Sequence, residues 1–286
     1  FGNSITVSGL APAVKTARRA LEDIYRQLGS GEDIPEDGSL ISDALRWVSV
    51  DDDAANTGQA QGQTQGQTQG QSFETWRKKI IVKTPGQAAY LDLLRKREVV
   101  FGLGPAGTGK TYMAVAKAVE SLKKREIERI VLSRPAVEAG ERLGFLPGDM
   151  KEKVDPYLRP LYDALYDMMP ADKVERMLVS GEIEIAPLAF MRGRTLSASY
   201  VIIDEAQNTT PVQMKMVLTR LGQDSRMVIT GDLSQIDLPD GQPSGLADAV
   251  GRLDNVEGVG IKHLSGKDVV RHLVVARILQ AYESDS

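Results

Sequence analysis

The chain has 286 residues, with 35 Lys plus Arg against 39 Asp plus Glu for a formal net charge of −4, and 42% hydrophobic residues. That length holds one large domain plus a smaller one, and the acidic balance excludes a globally basic nucleic-acid binder, so any RNA or DNA contact is local. Cysteine is absent and only His263 and His272 represent histidine, which excludes disulfides and thiolate or imidazole-rich metal centres, fits a reducing cytoplasm, and accompanies the lack of any apolar run of membrane length.

In chain order, residues 4–9 alternate as a strand does, and residues 11–28 place Val14, Ala17, Leu21, Ile24 and Leu28 at helical spacing. Residues 39–48 read as a second helix. This is a small α+β piece over 1–50; since the chain opens on Phe1 rather than Met, an upstream segment is expected to supply its other strands. Residues 51–72 read as a flexible linker. Asp51-Asp52-Asp53 opens it, and the Gly/Gln/Thr repeat over 60–71 contains no apolar residue beyond one Ala. Such a segment cannot bury enough surface to offset its ordering entropy.

Beyond the linker, residues 73–286 alternate strand and helix signals. Strands are expected over 99–103, 129–133, 183–186, 200–203 and 227–230. Helices are expected over 86–96, 111–124, 150–168, 171–180, 211–221, 244–252 and 268–282. The helix at 211 has sharp limits: Thr209 or Thr210 as cap, Pro211 in the first turn, Gly222 at the end. The alternation predicts an α/β fold, a mainly parallel sheet with helices on both faces.

One of its strand-to-helix turns carries the strongest motif. Gly104-Pro105-Ala106-Gly107-Thr108-Gly109-Lys110-Thr111 fits G-x-x-x-x-G-K-[ST], the phosphate-binding P-loop. Its glycines let backbone N–H groups turn inward around an anion, and the next helix adds its positive end. Lys110 is placed to reach β- and γ-phosphates and Thr111 to hold Mg²⁺. A second motif, Asp204-Glu205, ends an apolar strand 94 residues after Lys110. Asp204 suits the Mg²⁺ shell and Glu205 the activation of water. Alone, such a pair reads equally as a helix cap; with the P-loop it points to nucleotide hydrolysis.

Weaker signals surround these two. Gln87 stands 23 residues before Lys110; its amide suits an adenine edge, but its position alone reads first as a polar place in a helix's first turn. Asp232 and Gln235 follow the strand at 227–230, either beside the γ-phosphate or in a surface turn. Arg134, Arg142, Arg192, Arg194 and Arg271 are candidates for meeting charge on the transferring phosphoryl group. Arg194 stands out in a short basic loop and Arg271 at the start of the last helix, each with an ion pair or nucleic-acid contact as the alternative.

Together these residues resemble the PhoH family of bacterial ATPases, related to superfamily 1 helicases. The likeness covers roughly 73–286 and rests on Gly104 to Thr111, Val201-Ile202-Ile203-Asp204-Glu205-Ala206-Gln207-Asn208, Ser133-Arg134-Pro135-Ala136-Val137-Glu138, Phe190-Met191-Arg192-Gly193-Arg194-Thr195, and the run from Thr230 to Pro239. Thr84-Pro85-Gly86-Gln87 looks like the helicase Gln motif, which favours adenine reading. The resemblance implies a RecA/helicase-like P-loop core, ATP and Mg²⁺ as ligands, a cytoplasmic ring-like homo-oligomer, with a hexamer as one arrangement, and a link to RNA metabolism. Some relatives carry a PIN ribonuclease domain, for which the piece before the linker is too short. Only one P-loop core is present, so strand separation would need a neighbouring subunit. Two functions follow: an ATPase coupled to RNA handling, or a nucleotide-gated adaptor that presents a partner such as an endoribonuclease. A kinase is disfavoured, because a water-activating carboxylate beside the phosphates would spend ATP on hydrolysis.

Overall fold

The computed structural model describes residues 5–29, 71–135, 150–270 and 274–275. The chain divides into two compact units, Phe1–Gly70 with Lys83–Pro85, and Gln71–Val82 with Gly86–Ser286. In the first, helix α1 (Ala11–Gly29) forms as its apolar spacing predicts, with Ala20 buried and Ile24 packed on it. The strand expected over 4–9 is not formed: residues 5–8 are irregular and 9–10 bend, and among the described residues no strand of this unit is present to pair with them. The helix expected over 39–48 and nearly all of the expected linker lie outside the described residues.

The second unit opens on a hairpin that the sequence patterns did not mark, β1 (Ser72–Glu74) and β2 (Lys79–Ile81), paired antiparallel. Ser72 therefore belongs to a strand, not to the linker. Three-residue strands are too short to show a period-2 pattern. Fully buried Phe73 anchors the hairpin, and the Glu74 amide donates to the Glu120 carboxylate at 3.2 Å.

A six-stranded sheet follows: β3 (Val99–Leu103), β4 (Arg129–Arg134), β5 (Ile183–Pro187), β6 (Ser199–Ile203), β7 (Arg226–Gly231) and β8 (Val259–His263). Every pairing is parallel and the spatial order is β5-β4-β6-β7-β3-β8. The helices are α2 (Pro85–Lys96), α3 (Lys110–Lys123), α4 (Met150–Met168), α5 (Ala171–Ser180), α6 (Pro211–Leu218) and α7 (Gly245–Leu253). All five expected strands are present. The sixth, β8, escaped notice because it lies at an edge with only Gly260 buried, so Val259, Ile261 and Lys262 carry no apolar run. The helix expected from 268 does not begin there: 266–268 is a 3-10 turn, 269–270 are irregular, and only 274–275 are helical among the described residues beyond.

Parallel strands need cover on both faces, and their runs are accordingly apolar throughout. One face places Phe101, Leu103, Val131, Val201, Ile203, Met227 and Ile229 against Met214 and Val217 of α6 and Leu246 and Ala249 of α7. The alternate residues face α3, which packs on β3, β4, β6 and β7. Helix α3 is buried from Met113 to Leu122, taking Lys117 and Glu120 inside as an ion pair at 3.1 Å. Gly102 is required by a close approach: a Cβ there would strike the ring of fully buried Tyr90.

Candidate active site

The P-loop, Asp204, Glu205, Asp232 and Gln235 converge at the carboxyl ends of β3, β6 and β7, which are neighbours in the order β6-β7-β3. The P-loop leaves β3 and closes on α3. Gly104, Gly107 and Gly109 have φ of 140°, 86° and 80°, the left-handed region that glycine supplies without strain. Gly109 caps α3, so the loop's N–H groups and the helix end point the same way. Ala106 and Gly107 are exposed, whereas Thr108 is buried with its hydroxyl donating to the Pro105 carbonyl at 2.9 Å. The Lys110 ammonium donates to that same carbonyl at 3.1 Å. Burial lowers the Lys110 pKa, while Glu205, Asp232 and Asp204 oppose the shift. Three carboxylates thus face one lysine across the site.

The loop is braced from outside. Gln87 is buried and its amide donates to the Thr108 carbonyl at 3.0 Å. The Val270 amide donates to the Gly107 carbonyl at 3.0 Å, and the Tyr90 hydroxyl to the Lys110 carbonyl at 3.4 Å. The carbonyls of Gly107 and Thr108 are thus held, and the N–H groups of Thr108 and Gly109, which oppose them across trans peptide bonds, are turned the other way.

Asp204 stands just past β6, its amide bonded to the Ser133 carbonyl at 2.9 Å. The Thr111 hydroxyl donates to Asp204 Oδ1 at 2.6 Å, and the Thr230 hydroxyl, from the end of β7, donates to the same oxygen at 2.7 Å. Residues 93 apart in sequence are therefore in direct contact. This set of hard oxygens suits Mg²⁺, which favours carboxylate and hydroxyl oxygen and keeps waters for the rest. Thr111 and Asp204 would hold the ion, and it would neutralise charge on the β- and γ-phosphate oxygens.

Glu205 adopts φ 51° and ψ 39°, a left-handed conformation rare for a non-glycine residue and typical of strained functional sites. Its carboxylate accepts from Arg134 Nη2 at 3.1 Å and from Gln207 Nε2 at 2.6 Å. Gln207, itself buried, accepts from the Asp232 amide at 3.2 Å through its other amide atom. One side chain thus ties the acidic loop to the loop after β7. Asp232 is held there by the Ser234 amide and hydroxyl, and Gln235 Nε2 donates to it at 2.6 Å. Burial alone would raise the Asp232 pKa; those hydrogen bonds and Lys110 outweigh it and keep the carboxyl below its ordinary value.

The arginines separate. Among the described candidates, Arg134, at the end of β4, is in contact with Glu205. Arg194 is engaged elsewhere, in a bidentate pair with Glu184 of edge strand β5 at 2.5 and 2.7 Å. Glu184 holds the Arg194 pKa up and is itself held down by that pair. Arg271 lies outside the described residues, as does Arg142. Sequence reasoning passed over Thr230 and Gln207, and weighed Arg134 below Arg194. The signal for Thr230 was its place ending an apolar strand beside the P-loop strand, but only the sheet order makes β7 the strand between β3 and β6.

Residues 79–283 match the family model described as PhoH-like protein. The chain belongs to the PhoH-like protein family. A PhoH-like protein of Bacillus subtilis strain 168 is 50% identical over 285 residues, 100% of this chain and 86% of that one. A PhoH-like protein of Mycobacterium tuberculosis strain H37Rv is 47% identical, covering 98% of this chain and 77% of its own. Protein PhoH of Escherichia coli K12 is 45% identical over 205 residues, covering 71% of this chain and 58% of its own. The PhoH-like match spans the P-loop, Asp204-Glu205, Asp232 and β8, and so includes the whole described site. No helix among the described residues is long and apolar enough to cross a membrane.

Proposed function

We propose that this PhoH-like protein hydrolyses ATP with Mg²⁺, as a cytoplasmic homo-oligomer coupled to RNA metabolism. The observation that carries the hydrolytic part is the convergence of the Thr111 and Thr230 hydroxyls on Asp204, with Glu205 next in the chain. Lys110 meets the charge of the β- and γ-phosphates. Glu205 accepts a proton from a water attacking the γ-phosphorus as the bond to the β-phosphate oxygen breaks and ADP leaves. Each carboxylate oxygen keeps a lone pair beyond those taken by Arg134 and Gln207. Arg134 lies beside the general base and would join Lys110 in meeting charge that develops on the phosphoryl oxygens. Gln235, through Asp232 and Gln207, is linked to Glu205 and is placed to respond to the γ-phosphate.

Adenine selection by Gln87 remains part of this proposal; its amide would serve the base and the Thr108 carbonyl from opposite edges. Arg194 acts in a neighbouring subunit only by leaving Glu184. Mixing Arg194→Ala with Lys110→Ala protein tests that role, since recovered phosphate release requires one intact residue from each chain.

Phosphate release, assayed with and without single-stranded RNA, tests the whole reading. The expected result is Mg²⁺-dependent release that RNA stimulates and Lys110→Ala abolishes. Release unchanged in Lys110→Ala refutes it. Turnover that ignores RNA and responds to a ribonuclease partner favours the nucleotide-gated adaptor.

A further inference from the structure

We propose that the 188–191 turn, the loop after it and the outer side of α6 together form a platform for single-stranded nucleic acid, with a base stacked on Phe190 and phosphates met by Arg192 and Lys215. The proposal rests on the RNA-coupled reading above and locates the contact.

Charge distribution points here first. Residues 185–203 and 206–223 contain no Asp or Glu, while they hold Arg192, Arg194, Lys215 and Arg220. With 39 acids in 286 residues, these 37 positions would carry about five on average. An acid-free, basic stretch in a chain of net charge −4 is the local patch that a polyanion needs.

The two segments form one surface. Leu188, Met191 and Leu196 share a core cluster with Met214 and Val217 of α6. Arg220 donates to the Arg194 and Met216 carbonyls, both at 3.2 Å, and the Leu196 amide donates to the Arg220 carbonyl at 2.8 Å. Arg194 neutralises Glu184, the acid nearest the loop on β5. The loop is thus fixed from beneath, and its remaining groups point outward. Phe190 is 52% exposed and Val212 74% exposed, and Arg192 and Lys215 are exposed as well. Gly193, at φ 74° with open space around a Cβ, makes the turn that separates exposed Arg192 from engaged Arg194.

An aromatic ring held in solvent on a rigid turn, flanked by cations and with Glu184 already paired to Arg194, has the make-up of a stacking platform for unpaired bases. A protein interface of this kind would be depleted in charge at its centre. The platform also adjoins the hydrolytic loop: Thr210, which caps α6, is five residues after Glu205.

The test is fluorescence anisotropy of a labelled oligouridylate on the full chain without nucleotide, over a salt series, with basal phosphate release measured in parallel. Phe190→Ala should weaken binding about 5- to 150-fold with the salt slope unchanged. Arg192→Ala and Lys215→Ala should each lower the slope by about one. Basal release should stay within two-fold in Phe190→Ala and Lys215→Ala. Parent-like binding and slope in these variants overturn the proposal, as does release with no oligonucleotide binding by the parent. RNA binding without phosphate release in the parent would leave the platform standing and remove the hydrolytic reading. Should the variants change sedimentation of the assembly but not RNA affinity, the face is a subunit interface and the proposal fails.

Discussion

Thr230→Val isolates the contact on which the site is built. Valine keeps the shape of threonine and deletes the hydroxyl. Thr230 is fully buried and donates to Asp204 Oδ1 at 2.7 Å, beside the Thr111 donor at 2.6 Å. A hydrogen bond to a charged acceptor contributes about 1.5–3 kcal/mol, and the carboxylate left behind is itself buried. The new methyl returns about 0.8 kcal/mol of apolar burial, so the net loss is about 1–2 kcal/mol. For a unit of this size each kcal/mol moves Tm by about 2–4 °C, which gives a fall of about 2–8 °C. Far-UV circular dichroism melts without nucleotide or Mg²⁺ measure it directly. In an Asp204→Ala background the same change should cost much less, since no carboxylate remains to be left unpaired and only the 3.4 Å contact from the Thr111 hydroxyl is lost. A Tm within about 1 °C of the parent, or equal losses in both backgrounds, would refute the coupling of Thr230 to Asp204.

Other expectations follow from the same geometry. Glu205→Gln keeps the contacts' shape but cannot take a proton, so ATP should bind and persist while release falls about 10²–10⁴-fold; parent-like turnover removes Glu205 as the base. Arg134→Ala should lower release about 10³-fold with ATP affinity, read by equilibrium dialysis, changed little; a loss confined to affinity assigns Arg134 to binding alone. Burial by itself would raise the Glu120 pKa, but the Glu74 amide, Lys124 and Lys117 outweigh it and hold the carboxyl below its ordinary value. Because the folded pKa is the lower one, this stabilisation is complete above the unfolded value of about 4.3 and fades as pH falls through the folded value. The parent's Tm should therefore drop more steeply below pH 5 than that of Glu120→Gln, and parallel acid limbs would contradict it.

The P-loop, the strands β3 to β7 and the acidic pair were legible in the sequence because each is a local signal. A glycine spacing, an apolar run and two carboxylates at a strand's end are written in contiguous residues, and a parallel sheet covered on both faces makes its strands apolar throughout. The capping of α6 by Thr210 was legible for the same reason. Where burial is partial the signal faded, as at edge strand β8 and in the three-residue strands of the hairpin. What the chain order could not contain is which strands become neighbours. Placing β7 between β6 and β3 is a decision of tertiary packing, and it alone sets Thr230 on Asp204 and lets Gln207 reach the Asp232 amide. The different partners of Arg134 and Arg194 were decided in the same way. Arg134 and Arg194 look alike as letters, but a guanidinium goes to the carboxylate that folding brings within reach, Glu205 for one and Glu184 for the other.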